Sequence, residues 1–434
     1  MYKLLEYMTI CIGICLATTG YTVIGEMFGI LPGIYVPLPL ILAGVLCIFL
    51  AIVLSQLAQR YPTAPGVRTY IRAAFGDKPS LVATFMLISV VVLFAGAEAY
   101  IFTVSINIIY DVSPYVVVPL VIAFVVAVNL FGLDMPRKMQ LIMTLMLVTG
   151  LIVLGIYASL STESQVNVVT DEDMIDALAI VSAAGTAIFL FMGFEWVLVS
   201  GKHPNDYKRT IPLAMVLGIS VLLIAYLVLS YALSLRFQDH EVSGTMVPHF
   251  LLANLISTEH GAYIVILLSL FAMVTTFNAG LMGVSRLMYT LGREGVLPPV
   301  FTKISMKTGV PVGAVLTLGL LAEISALIQL ATSIHEQVLF VCAAIYCLIY
   351  SLYPLSNLRI INNDSACKNS SLKMNIFKVL SYCASVLFIV FGIGALLNSE
   401  EYVFDNLVIF TMVVIASCML SSLVMKQSQR VINV

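Results

Sequence analysis

The chain has 434 residues, of which 61% are hydrophobic and 10% charged, with a formal net charge of −2. At this composition too little polar surface is left to cover a water-soluble core, and no basic excess points to nucleic acid. Mean hydropathy is +1.05 over the whole chain, so the apolar residues are not confined to one anchor. They face lipid, and because lipid solvates no free backbone amide, the segments are expected to be helices.

Twelve segments have roughly the 20 apolar residues needed to cross the hydrocarbon. They are 8–31, 36–57, 80–109, 115–133, 138–160, 177–200, 211–235, 262–289, 311–330, 337–358, 375–397 and 403–425. Membrane-type sequence begins at about Met8 with no small-residue cleavage site after it, so the first segment reads as a retained helix rather than a signal peptide. It carries Leu16-Ala17-Thr18-Thr19-Gly20-Tyr21-Thr22, then Gly25, Gly29 and Pro32. The third segment is long enough to tilt or to run past the membrane. The sixth carries Phe189-Leu190-Phe191-Met192-Gly193-Phe194-Glu195-Trp196. Glycine and small polar residues near mid-membrane in the first helix of each of two five-helix halves point to an inverted repeat with broken helices. Helices 1–5 (about 8–160) and 6–10 (about 177–358) are then the repeats, and 375–425 holds two additional helices, all in one transmembrane domain. After the seventh segment, 245–256 has the pattern of a short amphipathic helix on the outer face. In the eighth, Thr275, Thr276 and Asn278 are of the type that binds sodium, although hydroxyls in membrane helices commonly bond their own backbone.

Basic residues fix the orientation. With the N-terminus in the cytoplasm, 20 of the 21 Lys and Arg residues fall on the cytoplasmic side, and Arg236 alone falls outside. The outer loops are acidic, as in Asp171-Glu172-Asp173 and Glu400-Glu401. This asymmetry predicts a multi-pass protein of the cytoplasmic (inner) membrane with both termini inside. Cys11, Cys15, Cys47, Cys342, Cys347, Cys383 and Cys418 lie in apolar stretches and Cys367 in a polar loop, with no CxxC or metal spacing, so they read as packing residues. The histidines, His203, His240, His249, His260 and His335, are expected in loops. No catalytic set, metal site, cofactor motif or ATP-binding loop emerges. The chain therefore reads as no enzyme, and transport would draw on a gradient or on exchange.

Gln56-Leu57-Ala58-Gln59-Arg60-Tyr61-Pro62-Thr63-Ala64-Pro65-Gly66, then Tyr70 and Ala74-Phe75-Gly76, resemble the loop after helix 2 of the amino acid–polyamine–organocation (APC) superfamily. Asn129-Leu130-Phe131-Gly132 is similar to its junction before helix 5, and Gly193-Phe194-Glu195 to its helix 6 core. Ser285-Arg286-Leu287-Met288-Tyr289, Gly295-Val296-Leu297-Pro298 and Pro311 resemble the end of helix 8 and the loop after it. The matches run in order over about residues 10–360. Thr18-Thr19-Gly20 stands where the family has a glycine-rich break, and Leu147 lies near the place of a lysine that many proton-coupled members carry. Ser200-Gly201-Lys202-His203-Pro204 lacks the family's acidic residue.

The resemblance implies an amino acid permease, with an exporter of neutral amino acids or an amine or polyamine transporter as alternatives. A ligand receptor of the same fold is the rival from another class, disfavoured by the lack of a sizeable signalling domain. The implied substrate site is formed by Thr18, Thr19 and Gly20, whose amides would hold a carboxylate at a half-helix N-terminus, and by Phe189, Met192 and Gly193. The alternative for the small residues is close helix packing. Glu26, Glu98, Glu195 and Glu323 lie within apolar spans, where a carboxylate faces a cavity or a partner. Glu195, then Glu98 and Glu26, are the candidates for proton coupling or gating. Arg286 reads as an anchor at the inner end of helix 8, and Trp196 as packing. The expected partners are a small amino acid or amine, membrane lipid and a proton; the oligomeric state is left open.

Overall fold

The computed structural model describes residues 2–62, 66–131, 137–160, 176–200, 203, 205–363, 372–398 and 402–432. The acidic 171–173 and 400–401 stretches, Thr63–Pro65, Gly132, Gly201, Lys202, Pro204, Cys367 and Lys368 lie outside the described residues.

Each of the twelve expected segments coincides with helix. The first is broken into α1 (Tyr2–Cys15) and α2 (Thr19–Ile30), bent by 57°. Pro37 opens α3 (Pro37–Arg60), which stops before the Tyr61-Pro62 pair. A short amphipathic helix, α4 (Gly66–Phe75), turns at Gly76 (φ +88°) into α5 (Asp77–Asn107). Then come α6 (Pro114–Leu130) and α7 (Arg137–Leu160). The sixth segment is α8 (Ala177–Ile188), a 3₁₀ turn at Phe189–Phe191 and a 3₁₀ stretch at Phe194–Ser200. A π-helical turn, Asp206–Thr210, leads into α9 (Ile211–Arg236). The outer connection holds α10 (Asp239–Ser243) and α11 (His249–Ile256), so the expected short helix exists in shortened form. The last elements are α12 (Gly261–Arg293), α13 (Val312–Thr332), α14 (His335–Asn363), α15 (Leu372–Leu396) and α16 (Val403–Ile432). No β-strand occurs among the described residues.

Ten of these helices are long and apolar enough to cross a membrane, and the bent α1–α2 pair is an eleventh. The twelfth, α6, has 17 residues, or about 25 Å at 1.5 Å per residue, a few ångströms short of the hydrocarbon thickness.

Packing follows a five-position offset. The second segment, α3, packs on the seventh, α9; the third, α5, on the eighth, α12; and the fourth, α6, on the ninth, α13. α1 in turn packs on the Phe194–Ser200 half of the sixth. Those are the contacts expected when two halves face each other across a pseudo-two-fold axis. α15 covers α8, and small residues let the backbones meet there: a Cβ at Gly185 would collide with the Phe391 carbonyl, and one at Gly394 would lie 2.7 Å from the Val181 carbonyl. α16 lies against α5 and α14, yet only 11% of its apolar window is buried within the protein. It therefore turns almost its whole circumference to lipid.

Below the bundle, buried Arg68 on α4 pairs with Asp77 (2.7 Å) and Glu294 (3.1 Å), tying the loop after α3 to the ends of α5 and α12. Arg236, the one basic residue expected outside, is buried and donates through Nε to the Ala158 carbonyl at 2.6 Å, closing the end of α7.

Candidate functional site

Breaking a helix inside an apolar bundle strands amides and carbonyls that lipid cannot satisfy. Every stranded group needs a named partner, and those partners define the site. At the first break the Glu98 carboxylate, fully buried on α5, accepts from the Thr18 amide at 2.7 Å through Oε1 and from the Thr19 amide at 3.0 Å through Oε2. The anion at the N-terminus of α2 is therefore the chain's own. Carbonyls freed at the end of α1 are also taken: Tyr226 donates its hydroxyl to Cys15 O at 3.3 Å, and Thr276 to Gly13 O at 3.1 Å. Thr18 donates its hydroxyl to Ser269 O at 3.2 Å.

The second break turns at Gly193, whose φ of +92° suits glycine and almost no other residue. Its amide donates to the Tyr350 hydroxyl at 3.1 Å, and that hydroxyl donates to Glu195 Oε2 at 2.6 Å. The Cys15 thiol donates to Phe191 O at 3.5 Å and so links the two breaks. Thr276 bonds backbone on α1, while Thr275 bonds its own helix at 2.8 and 3.0 Å.

Between the breaks lies a cavity. Ile14, Cys15 and Ala17 line it from the first break, Phe189, Met192 and Gly193 from the second, and Val91, Phe94, Ala95, Thr276, Gly280 and Tyr346 from α5, α12 and α14. The expected Phe189, Met192 and Gly193 thus reach the cavity. Thr18, Thr19 and Gly20 do not line it; Ala17 presents the first break, because the bend turns the next residues toward Glu98 and packs Gly20 against Leu190.

Trp196 does more than pack. It lines this cavity and a second hollow that reaches Tyr70, Glu195 and Tyr353, so its ring stands between the two. Its indole donates to the Tyr346 hydroxyl at 3.3 Å, and its six-membered ring sits against Gly283, where a Cβ would collide. Glu195, 9% exposed, faces the second hollow rather than the main cavity. Glu26 is half-buried on α2 within electrostatic reach of Glu336, and Glu323 is half-buried on α13 beside exposed Leu320 and Ile324. Arg286 is exposed beside a polar recess that includes Asn129, Asn278 and Thr308.

Three histidines depart from the loop expectation, His240 on the short α10 among them. His335 opens α14 and stacks on Tyr100 at 3.6 Å. His249, on α11 and outside the spans, is fully buried with its ring 3.9 Å from that of Tyr21. Desolvation pushes its imidazole down to about 3, so it is neutral. Of the cysteines expected to pack, Cys11, Cys15, Cys47, Cys342 and Cys347 are buried, whereas Cys383 and Cys418 are exposed on α15 and α16, where the neighbouring surface is apolar. Tyr226, Tyr346 and Tyr350 carry no signal in the sequence: tyrosine is common in apolar helices, and nothing local to 226, 346 or 350 shows that a hydroxyl meets a helix break.

The sequence profile of the amino acid permease family matches residues 4–418. Among curated relatives, the uncharacterized amino acid permease YecA of Bacillus subtilis is 23% identical over 62% of this chain and 63% of its own length. The low-affinity putrescine importer PlaP of Escherichia coli is 23% identical over 64% of each chain. The vacuolar cationic amino acid transporter 8 of Arabidopsis thaliana is 21% identical over 87% of this chain and 65% of its own. The chain thus spans just under two thirds of the length of these relatives. Among solved structures, a point mutant of the manganese transporter of Eremococcus coleocola superimposes with a TM-score of 0.54 at 13% identity, covering 98% of this chain and 95% of that one. The likeness lies in the fold.

Proposed function

The chain belongs to the amino acid permease family, and on that premise we propose that it is a secondary transporter of an amino acid or related amine, working by alternating access across the cytoplasmic membrane. The observation that carries this reading is the cavity between two helix breaks, with residues of both breaks in its wall. Broken helices at the repeat interface supply amide and carbonyl dipoles to a zwitterion at mid-membrane, where side-chain charges are costly. The repeats are residues 8–160 and 177–358, the additional helices 375–425, and both termini are cytoplasmic. The basic-residue asymmetry and the five-position packing offset support this arrangement.

In this reading the substrate carboxylate reaches past Ala17, the residue that lines the cavity, and competes with Glu98 for the amides of Thr18 and Thr19 behind it, so the first break shifts as substrate binds. A protonated Glu98 releases those amides, since a neutral carboxyl accepts far more weakly than a carboxylate. The substrate carboxylate then takes its place beside Gly20, so a proton and a substrate enter together. Among the described residues, Tyr21 and Tyr226 lie within electrostatic reach of Glu98, and neither is a cation that would hold it ionised. Phe189 and Met192 cover the substrate, and carbonyls of the Phe189–Gly193 turn receive its ammonium. Glu195, joined to Gly193 through Tyr350, senses the state of the second break, and Trp196 closes the path toward the inner hollow. Glu26, on the outer half-helix, is the third carboxylate assigned to gating.

The test is counterflow in proteoliposomes, comparing an amino acid with its amide. Labelled amino acid is expected to exchange and the amide to fail. Glu98→Gln is expected to raise the apparent affinity at pH 8, because the amides are then held by a neutral group. Equal exchange of amino acid and amide would remove the carboxylate pose, and binding without exchange would make the protein a receptor.

A further inference from the structure

We infer that the substrate is a neutral amino acid with an apolar side chain, and that cationic amino acids and polyamines are excluded. This rests on the permease reading above and narrows its substrate class.

The argument concerns what the cavity offers beyond the two breaks. A zwitterionic head group is served by backbone dipoles, so discrimination falls to the walls that meet the side chain. Those walls are Val91, Phe94, Ile122, Val125, Leu281 and Leu318. No Asp, Glu, Lys, Arg or His is among the residues lining the cavity. Its polar side-chain groups are all neutral: the Thr276 hydroxyl donates to Gly13 O, the Cys15 thiol to Phe191 O and the Trp196 indole to the Tyr346 hydroxyl.

The two nearest buried carboxylates are committed as well. Glu98 holds the amides of Thr18 and Thr19, and Glu195 receives the Tyr350 hydroxyl on the far side of Trp196. A second ammonium or a guanidinium would therefore enter with no anion to meet it, losing its hydration without compensation. Glutamate and aspartate side chains meet the same barrier with opposite sign. An apolar side chain gains by leaving water, and the walls named above meet it with apolar surface. The relatives named for cationic amino acids and putrescine are only 21% and 23% identical, which leaves the walls free to differ.

The experiment is counterflow with the purified full chain in liposomes loaded with unlabelled leucine, methionine, phenylalanine, lysine, arginine and putrescine. Entry of each in labelled form is then followed. At least one of the three apolar amino acids is expected to exchange, and lysine, arginine and putrescine to be slower by about 100-fold or more. Exchange of lysine or putrescine at a comparable rate overturns the substrate class and leaves the permease reading standing. No exchange of any compound overturns both. Ala322→Asp, or Val91→Asp if the first does not fold, places a carboxylate in the wall and is expected to admit lysine while slowing leucine. A folded variant that still exchanges leucine at the original rate and admits no lysine would show that this cavity does not hold the side chain.

Discussion

The relay from the Gly193 amide through the Tyr350 hydroxyl to Glu195 concentrates the chemistry of the second break in three residues. Tyr350→Phe removes both bonds while keeping the ring that packs on Phe388 and Tyr346. It takes one hydrogen bond from a buried amide and one from a buried carboxyl, at a cost of about 1–3 kcal/mol in all. A clearly lower thermal midpoint in detergent is the expected readout. Glu195→Gln keeps size and polarity but cannot change charge. It is expected to flatten the pH dependence of transport over roughly pH 5 to 8 with the fold intact. An unchanged profile would leave Glu195 a structural group and turn attention to Glu98 and Glu26. Glu195 and Glu98 are visible in the sequence as carboxylates within apolar runs. Tyr350 is not, because it lies 155 positions from Glu195 and only the fold brings them together.

Among the elements, the half-helices depend on close backbone approaches that the sequence marks only as small residues. α8 meets α15 at Gly185, and a methyl group there meets the Phe391 carbonyl rather than a side chain that can turn aside. Gly185→Ala is therefore expected to destabilise by about 1–3 kcal/mol, the range for overpacking, with correspondingly low yield of folded protein. The short α11 sets a pH limit on stability. His249 is held at about 3 while the unfolded chain titrates near the ordinary 6.5, so below that value the unfolded state binds the extra proton. Stability then rises with pH, and the loss reaches about 2 kcal/mol by pH 5. His249→Phe keeps a ring against Tyr21 and cannot titrate, so its thermal midpoint is expected to fall less between pH 7 and pH 5 than that of the unaltered protein. An equal fall would show that other groups govern the acid limb.

For the molecule as a whole, topology and alternation of basic residues are one statement. Glu259, exposed between α11 and α12, belongs on the outer side, and exposed Lys307, between α12 and α13, on the inner. A cysteine replacing Glu259 is expected to react with an impermeant maleimide in intact cells, and one replacing Lys307 only after permeabilisation. The opposite pattern would invert the orientation. The offset packing of α3 on α9, α5 on α12 and α6 on α13 is a whole-molecule property too. The halves share too little sequence to be aligned by eye, yet their helices take equivalent places.

By itself the sequence determined that the chain crosses the membrane repeatedly as helices and where each helix lies. Hydrophobic run length and the need to satisfy the backbone within each segment are local properties, written residue by residue. It also marked both breaks, because glycine and threonine clusters weaken a helix wherever they occur. Tertiary structure alone decided how the breaks are held. Glu98 from α5, Tyr226 from α9, Thr276 from α12 and Tyr350 from α14 satisfy the stranded amides and carbonyls, and each comes from a helix far along the chain. It also decided that Ala17 rather than Thr18 meets the cavity and that Trp196 divides it from the inner hollow. Those outcomes depend on a 57° bend and on which face each helix turns inward, and the direction of a side chain in space follows from packing rather than from its neighbours in sequence.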